Sequence, residues 1–126
     1  MYIVVDERDG RPIYRQVADE IRGLIARGEL REGAGLPPVR QVAADLGVNL
    51  NTVAAAYREL QREGLISVRH GAGATVASRT ARGKSDGELR KPLRAALTAL
   101  VLAGLPRAEI MTLVSDELRG LLKRGK

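Results

Sequence analysis

The sequence predicts a mostly α-helical fold with one small β-hairpin: a winged helix-turn-helix domain followed by a short C-terminal helical hairpin. Three observations carry this expectation. The stretch DLGVNLNTVAAAYRELQREG, residues 45–64, reads as the end of one helix, a glycine turn and a second helix. Directly after it, LISVRHGAGATVAS switches from helical spacing to alternation around a glycine-rich tip, the pattern of a β-hairpin. Beyond residue 88, leucines recur at helical spacing in two blocks separated by GLP, residues 104–106.

Taken in chain order, YIVVD is a β-branched run that predicts a short strand, and DERDGRP a turn. Pro12 stands where a first helical residue should, with Ile13, Val17, Ile21 and Leu24/Ile25 at helical spacing behind it and Gly28 as the stop. REGAGLPP predicts a loop with a brief extended piece at Leu36, because residues before proline avoid the helical region. Val39, Val42, Ala43 and Leu46 form the apolar stripe of a short second helix that Gly47 ends. Asn49 suits the N-cap of a third helix with inner face Val53, Tyr57 and Leu60, closed by Gly64. In the hairpin, Ile66 and Val68 are expected on one face with Val76 on the returning strand.

SRTARGKSDGE is polar, carries two glycines and lacks an apolar stripe, so it reads as a linker. Leu89, Leu93, Leu97, Leu100 and Val101 then mark one helix, and Ile110, Leu113, Val114, Leu118, Leu121 and Leu122 another. Two short helices cannot bury so wide a stripe against each other alone. They either cover the winged helix or, the favoured reading, pair with the same hairpin of a second subunit. The expected organisation is a winged helix-turn-helix domain over 1–78, a linker over 79–88 and a helical-hairpin dimerisation element over 89–126, of which 89–124 make the homodimer contact.

The 126 residues include no cysteine and a single histidine, His70, which excludes disulfides and thiolate metal sites and argues against a His-dependent catalytic triad. No constellation of acid, base and nucleophile stands out, so an enzyme is not expected, nor a metal or cofactor. No apolar run approaches a membrane span and no signal-peptide core opens the chain, so the expectation is a soluble cytoplasmic protein without a membrane partner. The net charge of +6 favours an acidic partner, but it is unevenly placed: 11 basic and 10 acidic residues lie up to residue 79, against 10 and 5 beyond it. Most of the excess therefore lies outside the helix-turn-helix.

The run from Pro12 to Ser78 resembles the DNA-binding domain of the GntR family of bacterial transcription regulators. The resemblance rests on Pro12-Ile13-Tyr14, Gly28-Glu29-Leu30, Leu36-Pro37 with Val39-Arg40, Leu46-Gly47-Val48, Asn51-Thr52-Val53, Leu60-Gln61 with Glu63-Gly64-Leu65-Ile66, and the wing Gly71-Ala72-Gly73-Ala74-Thr75-Val76, all in register. The short C-terminal hairpin and the leucine pattern around GLPRAEI are similar to the YtrA subfamily. The resemblance implies a homodimer that binds a palindromic operator in double-stranded DNA, usually as a repressor. The alternative is a winged-helix protein-protein interaction module without DNA binding, which salt-dependent binding of duplex DNA would distinguish. No feature identifies a small-molecule effector.

The resemblance also implies site residues. Arg40 matches the family's basic residue at the start of the second helix, where a forked guanidinium suits guanine O6 and N7. Asn49, Leu50, Asn51 and Thr52 fill the opening of the recognition helix. Leu50 stands where the family usually has arginine, and Ala54 where a second basic residue is frequent. Base recognition then leans on Asn49, Asn51 and Thr52, or on contact between Leu50 and a thymine methyl. Asn49 reads equally as a plain cap, and Leu50 as a local packing residue. Arg69, His70 and Gly71 match a wing tip lying over the minor groove, where glycine lets the backbone approach the sugar-phosphate edge. Arg79, Arg82 and Lys84 add nonspecific attraction, and Arg58 and Arg62 are either phosphate contacts or a solvated face.

Overall fold

The computed structural model describes residues 1–69, 73–78 and 85–122; the side chain of Arg69 is also outside the description. They form two compact units, one within Met1–Arg79 and one within Thr80–Arg124.

In the first unit, α1 (Ile13–Ala26) buries Gln16, Val17, Ala18, Ile21, Leu24 and Ile25 along one stripe. Pro12 is its N-cap rather than its first helical residue: with ψ at 151° it is still extended, while its carbonyl accepts from the Arg15 and Gln16 N–H groups. Gly28, at φ +82°, turns the chain out of the helix. The next helices, α2 (Val39–Leu46) and α3 (Leu50–Arg62), are joined by the turn at Gly47. Strands β1 (Ile66–Arg69) and β2 (Gly73–Val76) then pair antiparallel, with Ile66 opposite Val76 and Arg69 opposite Gly73.

The extended piece expected at Leu36 is present and lies along β2. The Gly33 and Leu36 N–H groups donate to the carbonyls of Val76 and Ala74, and Val76 N–H donates to Ala34 O at 2.8 Å. This ties the segment before α2 to the hairpin, so α2 and the wing share one frame.

Helix α3 is the centre of the unit and packs on α1, α2 and β1. Val17 and Ile21 from α1 and Val53 and Leu60 from α3 are fully buried, with Tyr57, Ile66 and Val76 beside them. Val68 shares the face of Ile66 but is 46% exposed, because the hairpin runs beyond the core; Val68 ends on a groove beside Tyr57, Arg58 and Gln61.

The expected strand at YIVVD is absent. A β-branched run needs a neighbouring ladder to become a strand, and here none pairs with it; a side chain holds only the backbone of its last residue, Asp6. The Gln16 amide accepts from Asp6 N–H at 2.8 Å and donates to the carbonyls of Asp6 and Arg11, each at 2.9 Å. The segment stays irregular, with Ile3 set into the core.

In the second unit, α4 spans Asp86–Leu102 and α5 spans Arg107–Leu122. The expected linker over 79–88 therefore ends earlier. Ser85 Oγ accepts from Glu88 N–H and Ser85 N–H donates to the Glu88 carboxylate, a reciprocal cap that starts the helix at Asp86. Residues 79–84 of that stretch lie outside the described residues. No residue of α4 or α5 is buried. Leu97, Leu100, Leu105, Ile110 and Val114, near the turn, are half-buried, while Leu93, Met111 and Leu118 are about half exposed.

Candidate nucleic-acid interface

Gly47 makes the helix-turn-helix possible. It ends α2 in the left-handed region, at φ +70° and ψ +34°, and Val48 N–H donates to Ala43 O to close the helix end. Two residues later Asn49 Oδ1 accepts from Asn51 N–H at 2.7 Å and starts α3. Asn49 is therefore a cap, and it is an exposed one. Its amide nitrogen has no hydrogen-bond partner among the described residues.

The first turn of α3 is open. Leu50 is 45% exposed, Asn51 is exposed and Thr52 is half-buried. Arg40, the second residue of α2, is also exposed and makes no ion pair or hydrogen bond among the described residues. Arg40, Leu50 and Asn51 meet on one shallow concavity of about 730 Å³, completed by Val39, Ala44 and Ala54. Asn49 and Thr52 do not line it. Leu50 thus stands at the surface rather than in the core, and Ala54 lies one turn further along the same face.

At helical spacing Leu50, Ala54, Arg58 and Gln61 form one outward stripe. Ala54, Arg58 and Gln61 continue into a second groove of about 350 Å³ that reaches Val68 and Gly73 on the hairpin. The carboxylates of α3 and its C-cap point elsewhere. Glu59 and Glu63 pair with Arg22 of α1, and Arg22 also holds Asp19. Arg11 bridges Asp9 and Asp19, and its hydrogen bonds hold the Asp9 carboxyl down at about 2. Asp9, Asp19, Glu59 and Glu63 are thus matched by arginine, while Arg40, Arg58 and Arg62 have no carboxylate partner among the described residues.

Sequence reasoning placed Tyr57 in the core and missed its second role. The ring is 5% exposed, and its hydroxyl donates to Pro37 O at 2.6 Å. Burial pushes this phenol up to about 12. The bond fixes the Pro37-Pro38 corner, and α2 with Arg40 starts directly after it. Only the presence of an OH on an inner-stripe aromatic hinted at it, since a buried Tyr hydroxyl usually finds a partner. Arg69 ends β1 at the far end of the hairpin. Its side chain, with His70 and Gly71, lies outside the described residues, as do Arg79, Arg82 and Lys84.

Among the described residues no cluster of three or more metal-ligating side chains occurs, and no helix is long and apolar enough to cross a membrane.

The fold recurs in known proteins. A transcriptional repressor of Bacillus subtilis (strain 168), YtrA, is 39% identical over 75 residues; the match covers 60% of this chain and 58% of the repressor. The chain thus spans less than two thirds of that relative's length. A transcriptional antiterminator from Listeria monocytogenes EGD-e superposes with a TM-score of 0.87 at 30% identity, over 97% of this chain and 93% of that one. The DNA-binding domain of AraR, solved in complex with operator ORX1, superposes with a TM-score of 0.55 at 25% identity, over 61% and 96% of the two chains. Residues 13–76 match the family described as bacterial regulatory proteins, gntR family. The chain belongs to the gntR family of bacterial regulatory proteins, and the unit built on α1–α3 and the hairpin is its winged helix-turn-helix DNA-binding domain.

Proposed function

We propose that the chain is a transcriptional repressor that binds a palindromic operator in double-stranded DNA as a homodimer. The observation that carries this reading is the outward stripe of α3: it bears no carboxylate and lies beside Arg40, which has no partner among the described residues. A duplex offers phosphates to free guanidinium groups and base edges to a polar helix tip. The likeness to the YtrA repressor and to an operator-bound AraR domain supports the same reading.

In this reading Asn49, Leu50, Asn51 and Thr52 enter the major groove, Arg40 anchors from α2, and Arg69, His70 and Gly71 contact the minor groove. The helix tip carries no charge of its own, so binding per monomer is weak and pairing of two subunits is needed. The pairing surface is the leucine face of α4 and α5, where Leu93, Met111 and Leu118 stand about half exposed. Apolar area of that kind favours association when covered.

The test is binding to duplexes selected from a random pool, measured by fluorescence anisotropy in a salt series. The reading expects an inverted repeat to emerge, bound two subunits per site, with affinity falling steeply as salt rises. Affinity that ignores both sequence and salt would leave the protein-docking alternative in place.

A further inference from the structure

We propose that the concavity between α2 and α3 reads the C5 methyl group of a pyrimidine, next to a guanine contacted by Arg40. The proposal rests on the operator-binding reading and adds which chemical feature of the base pair is recognised.

The lining supplies the argument. From α3 it presents Leu50 and Ala54, and from α2 Val39 and Ala44, so most of its lining is apolar. Its polar members are Arg40, Gln41 and Asn51, and Arg40 is the one charged side chain in the lining. A lining with a single unpaired cation and no carboxylate suits an anionic surface. A mostly apolar lining that carries one guanidinium suits a mixed base edge rather than bare phosphate. In the major groove of a duplex the pyrimidine methyl is the one apolar feature, and guanine O6 and N7 are the acceptors a guanidinium fits. Leu50 is not committed to the core: it is 45% exposed and is absent from the buried cluster and from the side chains packed against it. Its exposed half is available to cover a methyl group.

The chemistry is a methyl on C5, and it has two sources in a duplex: thymine and 5-methylcytosine. Replacing thymine by deoxyuridine removes that methyl and leaves every hydrogen-bonding group in place. It therefore isolates the proposed contact.

The experiment uses the full chain and the best duplex selected from a random pool, with each thymine replaced in turn by deoxyuridine. At one position per half-site the native protein should lose about fourfold in affinity, the value of one buried methyl-sized group. Leu50→Met, which keeps an apolar side chain, should keep that sensitivity, and Leu50→Ala should lose it. Circular dichroism confirms that each variant is folded. Placing cytosine and then 5-methylcytosine at the sensitive position separates the sources: recovery on methylation means that either methylated base serves, and no recovery means thymine alone. Selective binding that tolerates deoxyuridine at every thymine overturns the methyl contact and leaves operator binding standing. The same uracil sensitivity in Leu50→Ala also overturns it. A chain that binds no duplex fails both readings together.

Discussion

Tyr57→Phe tests whether a buried hydroxyl holds the entrance to α2. The ring is 5% exposed, so phenylalanine fills the same space and no cavity opens. What is lost is one hydrogen bond of 2.6 Å, and Pro37 O, on a half-buried residue, loses its donor. Such a bond contributes about 1 kcal/mol net, which in a domain of this size is roughly 4–8 °C of melting temperature. The pH dependence gives a second signature. The folded phenol is pushed up from 10.0 to about 12 by burial. Below pH 10 the proton is bound in both states and the contribution of the bond is complete. As pH rises towards 12 the unfolded chain releases the proton first, so the native state loses stability. The phenylalanine variant has no such proton. The gap between the two proteins should therefore close and then reverse as pH rises from 10 towards 12. Other alkaline titrations are common to both and cancel. The assay is thermal melting of both proteins by circular dichroism from pH 7 to 12. Equal melting temperatures at pH 7, with a gap that does not change on the alkaline side, would refute the argument.

Three further outcomes follow from the same structure. Gln16→Leu removes the hydrogen bonds to Asp6 and Arg11; it should cost about 1–3 kcal/mol and speed amide exchange at Asp6, and native protection there would contradict the role given to Gln16. Gly47→Ala meets no atom within 4 Å at its added Cβ, so only the left-handed backbone at φ +70° opposes it; chemical denaturation should show a loss of about 1–2 kcal/mol, and an unchanged midpoint would refute that. A chain ending at residue 78 should sediment as a folded monomer while the full chain sediments as a dimer, and a shortened chain that still dimerises would remove α4 and α5 as the pairing surface.

The helices were legible because apolar spacing and backbone punctuation agreed. Val53, Tyr57 and Leu60 are buried where the stripe put them, and Asn49 and Gly47 perform the local tasks their chemistry suggests. What escaped depended on contacts distant in the chain. YIVVD has strand composition, but no partner strand pairs with it, and Gln16 holds the backbone of its last residue, Asp6. The start of α4 was placed too late because the polar run hid the reciprocal cap of Ser85 and Glu88. At the interface, sequence brought Arg40, Leu50 and Asn51 into one hypothesis, and the fold puts them on one concavity. It does not put Asn49 or Thr52 there. The bond from Tyr57 to Pro37 spans 20 residues, and periodicity carries no signal for it.

The central claim is that an unpaired Arg40 and the acid-free outer stripe of α3 form a surface for duplex DNA. It is tested most directly by binding of native protein and Arg40→Ala to the selected duplex and a scrambled one across a salt series. For the native chain the account predicts preference for the selected site and a steep salt dependence. For the variant it predicts a loss of about 1–3 kcal/mol at a single base position if Arg40 reads a base, or uniform weakening with a salt slope shallower by about one if it touches a phosphate. Affinity, preference and salt slope all unchanged by Arg40→Ala would contradict it.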